Sequence, residues 1–313
     1  MITHAVLFQL VVLLLPWQLA HCVGQYKCVF GFSTGHVGTG TLGDRASYNH
    51  VNHIEFLFEG YRQSKPTEMC RVHPSIYNQG FTAEDEENFV SNVLTPFLAR
   101  LIHITQKSII VDFGHANLFY YRGIARHFLS RSRRGGMYTF CKHLHFVRIR
   151  RERYESATSL MYRTPTRSKT SLCEDVPYAY CPYNNSESVL LHPVSKTAWH
   201  DLGVLEQMLW YIDEVEARWQ EFKALYKDTA IRFTEVSWAA NQDGFNILPD
   251  VVNITSSILQ ATPRRHLHRR NIHVNHSTTG GGRSVQDMER FAAAEVRYRA
   301  AMGMEVSRTS VDN

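Results

Sequence analysis

Short apolar segments alternate with longer segments of helical periodicity along most of the chain. The apolar segments predict strands at 26–32, 54–60, 108–113 and 145–150. The periodic segments predict helices at 83–104, 117–130 and 153–162. A chain that alternates strands and helices in this way is expected to form an α/β fold, with a mainly parallel central sheet and helices on both faces.

The helix at 83–104 shows this periodicity clearly. Its apolar residues recur every four positions, at Phe89, Val93, Phe97 and Leu101. Thr82, with Asp85 three residues later, resembles a capping box, and Pro96 predicts a kink.

The later half of the chain predicts a long amphipathic helix, a strand and a final helix. Apolar residues at spacings of three, four or seven predict a stripe that faces the core: Leu202, Leu205, Leu209, Ile212, Trp219, Phe222 and Tyr226. The strand is expected at 229–236 and the last helix at 285–302. Residues 162–193 have little periodicity, which predicts a long loop of the kind that covers a binding site.

A glycine-rich segment directly follows the first strand. Gly35, Gly38 and Gly40 allow successive backbone N–H groups to point into one concavity, and the helix expected next adds its partly positive N-terminus. An anion such as a phosphate is the expected occupant, and a tight turn without a ligand is the alternative. No Lys lies between Lys27 and Lys65, so the segment is not a Walker A loop and ordinary ATP or GTP hydrolysis is disfavoured.

A second pattern links the strand at 145–150 to the helix after it. Arg151 follows the strand, and Ser159 lies eight residues later in the helix. This arrangement resembles the 3′-phosphate motif of sulfotransferases, and the segment 35–42 resembles their 5′-phosphosulfate loop. The two segments stand in the order that the family shows, and the resemblance covers about residues 25–240. A solvated surface arginine is the alternative for Arg151.

The resemblance implies a P-loop NTPase-like three-layer fold around the central, mainly parallel sheet. It also implies that 3′-phosphoadenosine 5′-phosphosulfate (PAPS) is the cosubstrate, and that Arg151 and Ser159 hold its 3′-phosphate. The residues expected to hold the phosphosulfate are Gly35, His36, Val37, Gly38, Thr39, Gly40 and Thr41. The sulfuryl group would pass to a hydroxyl or amine acceptor, with a carbohydrate as the expected one, and no metal is required.

Two histidines are the candidate catalytic residues. Sulfotransferases usually place Lys or Arg where this chain has His36, so either a protonated His36 replaces that cation or the site has lost activity. His115 follows a predicted strand, at the edge where parallel sheets gather ligands, and its place resembles that of the family's catalytic base. A structural histidine is the alternative. Asp112 is expected either to orient His115 or to cap the turn.

The N-terminal segment and three sequons predict the secretory pathway. Residues 5–20 form a short apolar run, which predicts a signal peptide at 1–22, with a signal-anchor as the alternative. Asn184, Asn253 and Asn275 each begin an N-glycosylation sequon. These features predict the Golgi lumen or membrane, or secretion. Contact with a membrane is expected only if the N-terminal segment is an uncleaved anchor.

The six cysteines have no CxxC pattern, so zinc and thioredoxin-like chemistry lack support. Cys173 and Cys181 could close a loop by a disulfide in an oxidising lumen. Cys28 is expected to be reduced, within the first strand.

The chain is thus expected to comprise the segment 1–22, a sulfotransferase-like domain at 25–262, and residues 263–313. This last part is a basic, histidine-rich linker with a helix; a lid over the nucleotide and a patch for an anionic polysaccharide are the alternatives. The formal net charge of +5 suits an anionic nucleotide, and no nucleic-acid motif is evident. Two other functions stay open: a non-catalytic nucleotide- or glycan-binding protein of this fold, and a P-loop enzyme of the kinase type.

Overall fold

The computed structural model of the protein describes residues 26–34, 54–57, 83–105, 107, 109–114, 117–130, 141–163, 194–238 and 285–304. The strands are β1 (Tyr26–Phe32), β2 (Ile54–Leu57), β3 (Ile109–Asp112), β4 (Cys141–Arg151) and β5 (Arg232–Trp238). The helices are α1 (Ala83–Phe89), α2 (Thr95–Thr105), α3 (Asn117–Ser130), α4 (Arg153–Arg163), α5 (Lys196–Asp201), α6 (Val204–Tyr226) and α7 (Val285–Ala301).

The described strands form a five-stranded sheet in the order β2-β3-β1-β4-β5, and every neighbouring pair is parallel. The predicted α/β class with a parallel sheet is therefore confirmed. β1 is the central strand, and it carries a run of apolar side chains that are buried on both faces, as a central parallel strand requires. The chain leaves β1 toward one edge of the sheet, returns through β3, and crosses to the other side at β4.

A disulfide joins β1 to its neighbour β4, between Cys28 and Cys141, with their Cα atoms 5.4 Å apart. The prediction that Cys28 is reduced is therefore wrong. The prediction failed because β4 begins at Cys141, four residues before the predicted start at 145. The longer strand brings Cys141 beside β1. Cys173 and Cys181 lie outside the described residues.

Helices α1 and α2 are joined without a break by a π-helical turn, Val90–Leu94. The turn stands immediately before the first turn of α2, where Pro96 is the second residue. A proline has no N–H and its ring crowds the carbonyl four residues earlier, so a wider turn at this point accommodates it. The predicted helix at 83–104 is confirmed, and the π-helical turn lies where the kink was expected. Thr82, the predicted cap, lies outside the described residues.

Helix α6 covers an aromatic core on one face of the sheet. Phe222 contacts both Phe146 of β4, at 4.9 Å between ring centroids, and Phe233 of β5, at 5.2 Å. The predicted core-facing stripe is confirmed, although Ile212 is only partly buried. Further α6 residues that the stripe does not include are also buried, among them Trp210 and Tyr211. Trp210 packs edge to face on Trp199 of α5, at 5.1 Å between ring centroids, and α4 and α7 also pack against α6.

Helix α7 confirms the last predicted helix and packs against α4 and α6. Phe291 meets Tyr154 of α4 edge to face at 4.8 Å, and the Tyr298 hydroxyl donates to Asp213 Oδ2 of α6 at 2.8 Å. The helix ends at Gly303, which has φ 65°, and Gly303 N–H and Met304 N–H donate to the carbonyls of Ala300 and Arg299. This pair of bonds is a Schellman motif, which glycine allows at a positive φ.

Candidate functional site

The carboxyl edge of the sheet carries buried polar residues on its three middle strands. Ser33 and Thr34, which follow β1, are both 2% exposed, and Asp112 at the end of β3 is 1% exposed. On β4, Arg148 is 3% exposed. Burying polar groups is costly unless they are hydrogen-bonded, and ligands of parallel sheets bind at this edge. This edge is therefore the candidate functional site.

The ends of β1 and β3 approach each other closely. A Cβ atom on Gly31 would lie 2.9 Å from Phe113 Cα, so only glycine fits at this position of β1. Asp112 Oδ1 accepts a hydrogen bond from the backbone N–H of Gly114 at 2.7 Å, which closes the turn after β3. Capping the turn, one of the two roles expected for Asp112, is therefore confirmed. His115 lies outside the described residues.

Arg148 joins the end of β1 to β4 and α6. Its Nη1 donates to the Phe32 carbonyl at 3.3 Å and to the Ile149 carbonyl at 3.2 Å, while Glu216 Oε2 of α6 lies 3.5 Å from the guanidinium. Burial lowers the pKa of Arg148 to about 10, against the attraction of Glu216. The side chain therefore keeps its charge at neutral pH. The sequence analysis missed this residue, although Arg148 and Arg150 alternate with apolar residues and so share one face of β4.

Further charged side chains extend outward from Arg148 along β4, β5 and α6. Arg150 forms ion pairs with Glu216 and, at 3.0 Å, with Glu235 of β5. Lys223 also pairs with Glu235, at 2.5 Å. Although burial acts to raise it, the hydrogen bonds from Lys223 and Trp219 hold the pKa of Glu235 below its ordinary value. In this edge cluster, defined as Arg148, Arg150, Lys223, Glu216 and Glu235, three cations face two carboxylates, so it carries an excess positive charge.

Arg151, the predicted ligand of the 3′-phosphate, is the last residue of β4. Its side chain is 12% exposed and its Nε donates to Glu155 Oε2 at 3.0 Å. Glu152 caps the helix that follows, because its carboxylate accepts the N–H groups of Tyr154 and Glu155 at 3.1 and 2.9 Å. Carboxylates thus contact both the cation and the helix N-terminus in this structure.

Ser159 lies in α4, so the predicted context of a strand, an arginine and a helix that carries the serine is present. Ser159 is four residues after Glu155, which places both on one face of α4. Its side chain is not among those that the structure describes.

Arg153 fixes the first turn of α4 against two other helices. Its Nη2 donates to Asp213 Oδ2 of α6 at 2.9 Å, and its Nε to Glu295 Oε2 of α7 at 3.2 Å. Although burial acts to lower it, these two carboxylates raise the pKa of Arg153 above its ordinary value. The sequence analysis missed this residue too, because its partners lie 60 and 142 residues away along the chain.

The predicted phosphosulfate loop, Gly35, His36, Val37, Gly38, Thr39, Gly40 and Thr41, lies outside the described residues. The structure does place β1, which leads into this loop, at the centre of the sheet. Ser33 and Thr34 continue the chain from β1 toward Gly35.

The part of the chain that the structure describes contains neither a helix that could span a membrane nor a cluster of metal-binding side chains. Comparisons with models of protein families, with curated proteins and with solved structures found no match for this chain.

Proposed function

We propose that the chain binds PAPS at the carboxyl edge of its sheet and transfers the sulfuryl group to a hydroxyl or amine acceptor, with a carbohydrate as the expected one. The observation that carries this proposal is the adjacency of β1 and β4, in which Phe32 pairs with Arg148. β1 leads into the glycine-rich loop and β4 ends at Arg151. Since neighbouring strands lie about 4.8 Å apart, the strand that leads into the glycine-rich segment and the strand that ends at Arg151 lie side by side, although the two motifs are more than a hundred residues apart in sequence.

A P-loop NTPase-like, three-layer architecture is part of the proposal. Its support is the strand order, in which β1 lies between β3 and β4. From β1 the chain proceeds to β2 and β3 on one side of the sheet, and after β3 it crosses to β4 and β5 on the other side. Ligands of open α/β sheets bind where the order reverses in this way, beyond the carboxyl ends of the strands.

In the proposed reaction, each group at the edge has one task. Arg151 and Ser159 bind the 3′-phosphate, while the loop amides, Thr39 and Thr41 bind the phosphosulfate. His115 accepts the proton of the acceptor hydroxyl as its oxygen bonds to sulfur. Protonated His36 stabilises the negative charge that develops on the bridging oxygen as the sulfur–oxygen bond breaks, and 3′-phosphoadenosine 5′-phosphate leaves.

The disulfide supports the proposed location in the secretory pathway, in the Golgi lumen or membrane or outside the cell. Disulfides persist in oxidising compartments and are rare in the cytosol. Cys28 is fully buried and Cys141 is 8% exposed, so the bond belongs to the core that joins the two middle strands. Its place inside the sheet favours a chain that folds in an oxidising lumen.

The first prediction tests nucleotide binding. Arg151→Ala is expected to weaken binding of 3′-phosphoadenosine 5′-phosphate by about 1.5–3 kcal/mol, the size of a hydrogen bond to a charged group. Isothermal titration calorimetry measures this loss, and Ser159→Ala should show a smaller one. Arg299→Ala is the matched control, because Arg299 also pairs with a glutamate four residues away, at 2.9 Å, but lies on α7. Equal affinities of Arg151→Ala and the wild type would remove the main support for the proposal.

The second prediction concerns His36. An imidazole has an ordinary pKa of about 6.5, so sulfate transfer should fall as pH rises through that region and His36 loses its proton. His36→Lys should keep activity and flatten this decline, while His36→Ala should lose most turnover and still bind the desulfated nucleotide. The pH profile of each variant must be measured, since His115 needs to be deprotonated and limits the rate at low pH. A decline of the same shape in His36→Lys would exclude this role of His36.

A non-catalytic nucleotide- or glycan-binding protein of the same fold is the second candidate. The histidine at position 36 favours it, because His36 supplies a cation for the transfer step only when it is protonated, whereas Lys or Arg would always supply one. Calorimetry with the desulfated nucleotide, run beside a transfer assay with radiolabelled PAPS and a panel of glycans, separates the two candidates. Binding without transfer to any acceptor would favour this second candidate. Preference for Mg-ATP over the 3′-phosphorylated nucleotide would instead indicate the kinase-type alternative.

A further inference from the structure

Arg148 is a buried cation of β4 that contacts the end of β1, the strand that leads to the glycine-rich loop. The sequence motifs do not include this residue. We propose that Arg148 is a positioning residue for the anionic end of the nucleotide: it holds the last peptide of β1 in place and supplies positive charge at the carboxyl edge of the sheet. This inference rests on the proposed function and extends it to a residue of the sheet itself.

The contacts of Arg148 place it at the point where β1 ends. Its guanidinium donates to the carbonyl of Phe32, the last residue of β1, and lies 5.9 Å from the centre of the Phe32 ring. Ser33, Thr34 and Gly35 follow Phe32 directly. Arg148 therefore fixes the peptide from which the proposed phosphosulfate loop begins.

The carboxylate that compensates the charge of Arg148 is shared with a second arginine. A buried ion pair contributes little to stability over an apolar residue of the same volume, so packing alone does not require an arginine here. Glu216, the carboxylate nearest to Arg148, also binds Arg150 and accepts a hydrogen bond from Gln220 at 2.7 Å. Nε of Arg148 lies 3.5 Å from Glu216 Oε2, an ion-pair contact without a hydrogen bond. The positive charge is thus only partly compensated, and an anion at the adjacent carboxyl edge would complete its compensation.

Arg150 provides a matched comparison on the same face of β4. It shares Glu216 with Arg148 and also forms an ion pair with Glu235 of β5. Its side chain is 38% exposed. Replacing either arginine removes one positive charge and one partner of Glu216. Arg148 differs in its contact with β1 and in its burial.

The experiment measures binding of 3′-phosphoadenosine 5′-phosphate by calorimetry to the full chain and to Arg148→Gln, Arg148→Lys and Arg150→Gln. Arg148→Gln is expected to weaken binding about tenfold or more, because a buried charge acts through a low effective dielectric constant. Arg148→Lys keeps the charge but loses the planar guanidinium that donates to the Phe32 and Ile149 carbonyls, so it should weaken binding by at least about threefold, though less than Arg148→Gln. Arg150→Gln should cost less than about threefold, and its loss should vanish at high salt while that of Arg148→Gln persists.

Unfolding curves of each variant show whether it is folded under the assay conditions. Arg148→Gln leaves Glu216 paired with Arg150, so no carboxylate is stranded and the variant is expected to fold. If it does not fold, Arg148→Lys decides, and wild-type affinity in that folded variant overturns the positioning role, because the guanidinium contact with Phe32 is then dispensable. Wild-type affinity in folded Arg148→Gln, with weakened binding in Arg151→Ala, would overturn the role of Arg148 and leave the proposed function intact. A wild-type chain that does not bind the nucleotide would overturn both.

Discussion

Arg218→Met is expected to lower the free energy of unfolding by about 3–5 kcal/mol, the cost of breaking a buried ion pair from one side. Arg218 and Glu214 lie one turn apart on α6, with 2.6 Å between Nε and Oε1, and their side chains are 4% and 0% exposed. Without the arginine, a carboxylate stays buried in the core. Oε2 of Glu214 already has no hydrogen-bond partner among the described residues, so little is left to compensate the charge.

Urea denaturation measures this loss, and a second pair of the same spacing is its control. Arg299 and Glu295 also lie four residues apart, on α7, but Arg299 is 41% exposed. Arg299→Met should therefore cost only about 0.3–0.5 kcal/mol. The double variant Arg218→Met with Glu214→Leu should recover most of the lost stability, because apolar residues of similar volume replace a buried pair at little cost. A loss in Arg218→Met no larger than that of the exposed control would show that the pair is not buried in solution.

Loss of the Cys28–Cys141 disulfide is expected to cost about 2–5 kcal/mol of unfolding free energy. The two cysteines are 113 residues apart in sequence, so the bond closes a long loop and restricts the unfolded chain strongly. The double variant Cys28→Ala with Cys141→Ala should show this loss in urea denaturation without reductant.

Reductant is the control for this second experiment. It should lower the unfolding midpoint of the wild type and change the double variant much less, because that variant no longer contains the bond. A remaining effect of reductant in the double variant would report a further disulfide, such as the one predicted between Cys173 and Cys181. Alkylation of Cys28 and Cys141 as free thiols in the unfolded, unreduced wild type would contradict the disulfide.

The bounds of many elements followed from local patterns. β1 and α3 begin and end at the predicted residues, and the core stripe of α6 was predicted from the spacing of Leu205, Leu209, Trp219 and Phe222. These successes have one cause: burial of one face imposes a period of two on strands and about 3.6 on helices, and both periods are visible within a short window of sequence. β4 was predicted too short, because its second and third residues, Lys142 and His143, are polar and exposed although they lie within the strand.

The candidate site also contains residues that local sequence patterns indicated and residues that they did not. Arg151 became a candidate because its spacing to Ser159 is a local pattern that resembles the sulfotransferase motif, and its role stays a prediction. Arg148 was not recognised, because the groups that define it come from other elements: Phe32 of β1 is 116 residues away, and Glu216 of α6 is 68 residues away. The carboxylates that contact Arg151 and cap α4 are neighbours in sequence, yet only the fold shows which atoms they meet.

By itself, the sequence determined the α/β class, the parallel sheet and the positions of many helices and strands, because these depend on periodicity that each segment carries alone. Only the tertiary structure decided that β4 lies beside β1, that Cys28 bonds to Cys141, and that Arg148 reaches the end of β1. Each of these is a contact between residues more than a hundred positions apart. Such contacts depend on the strand order, and the strand order is set by the packing of the whole core, which no short window of sequence contains.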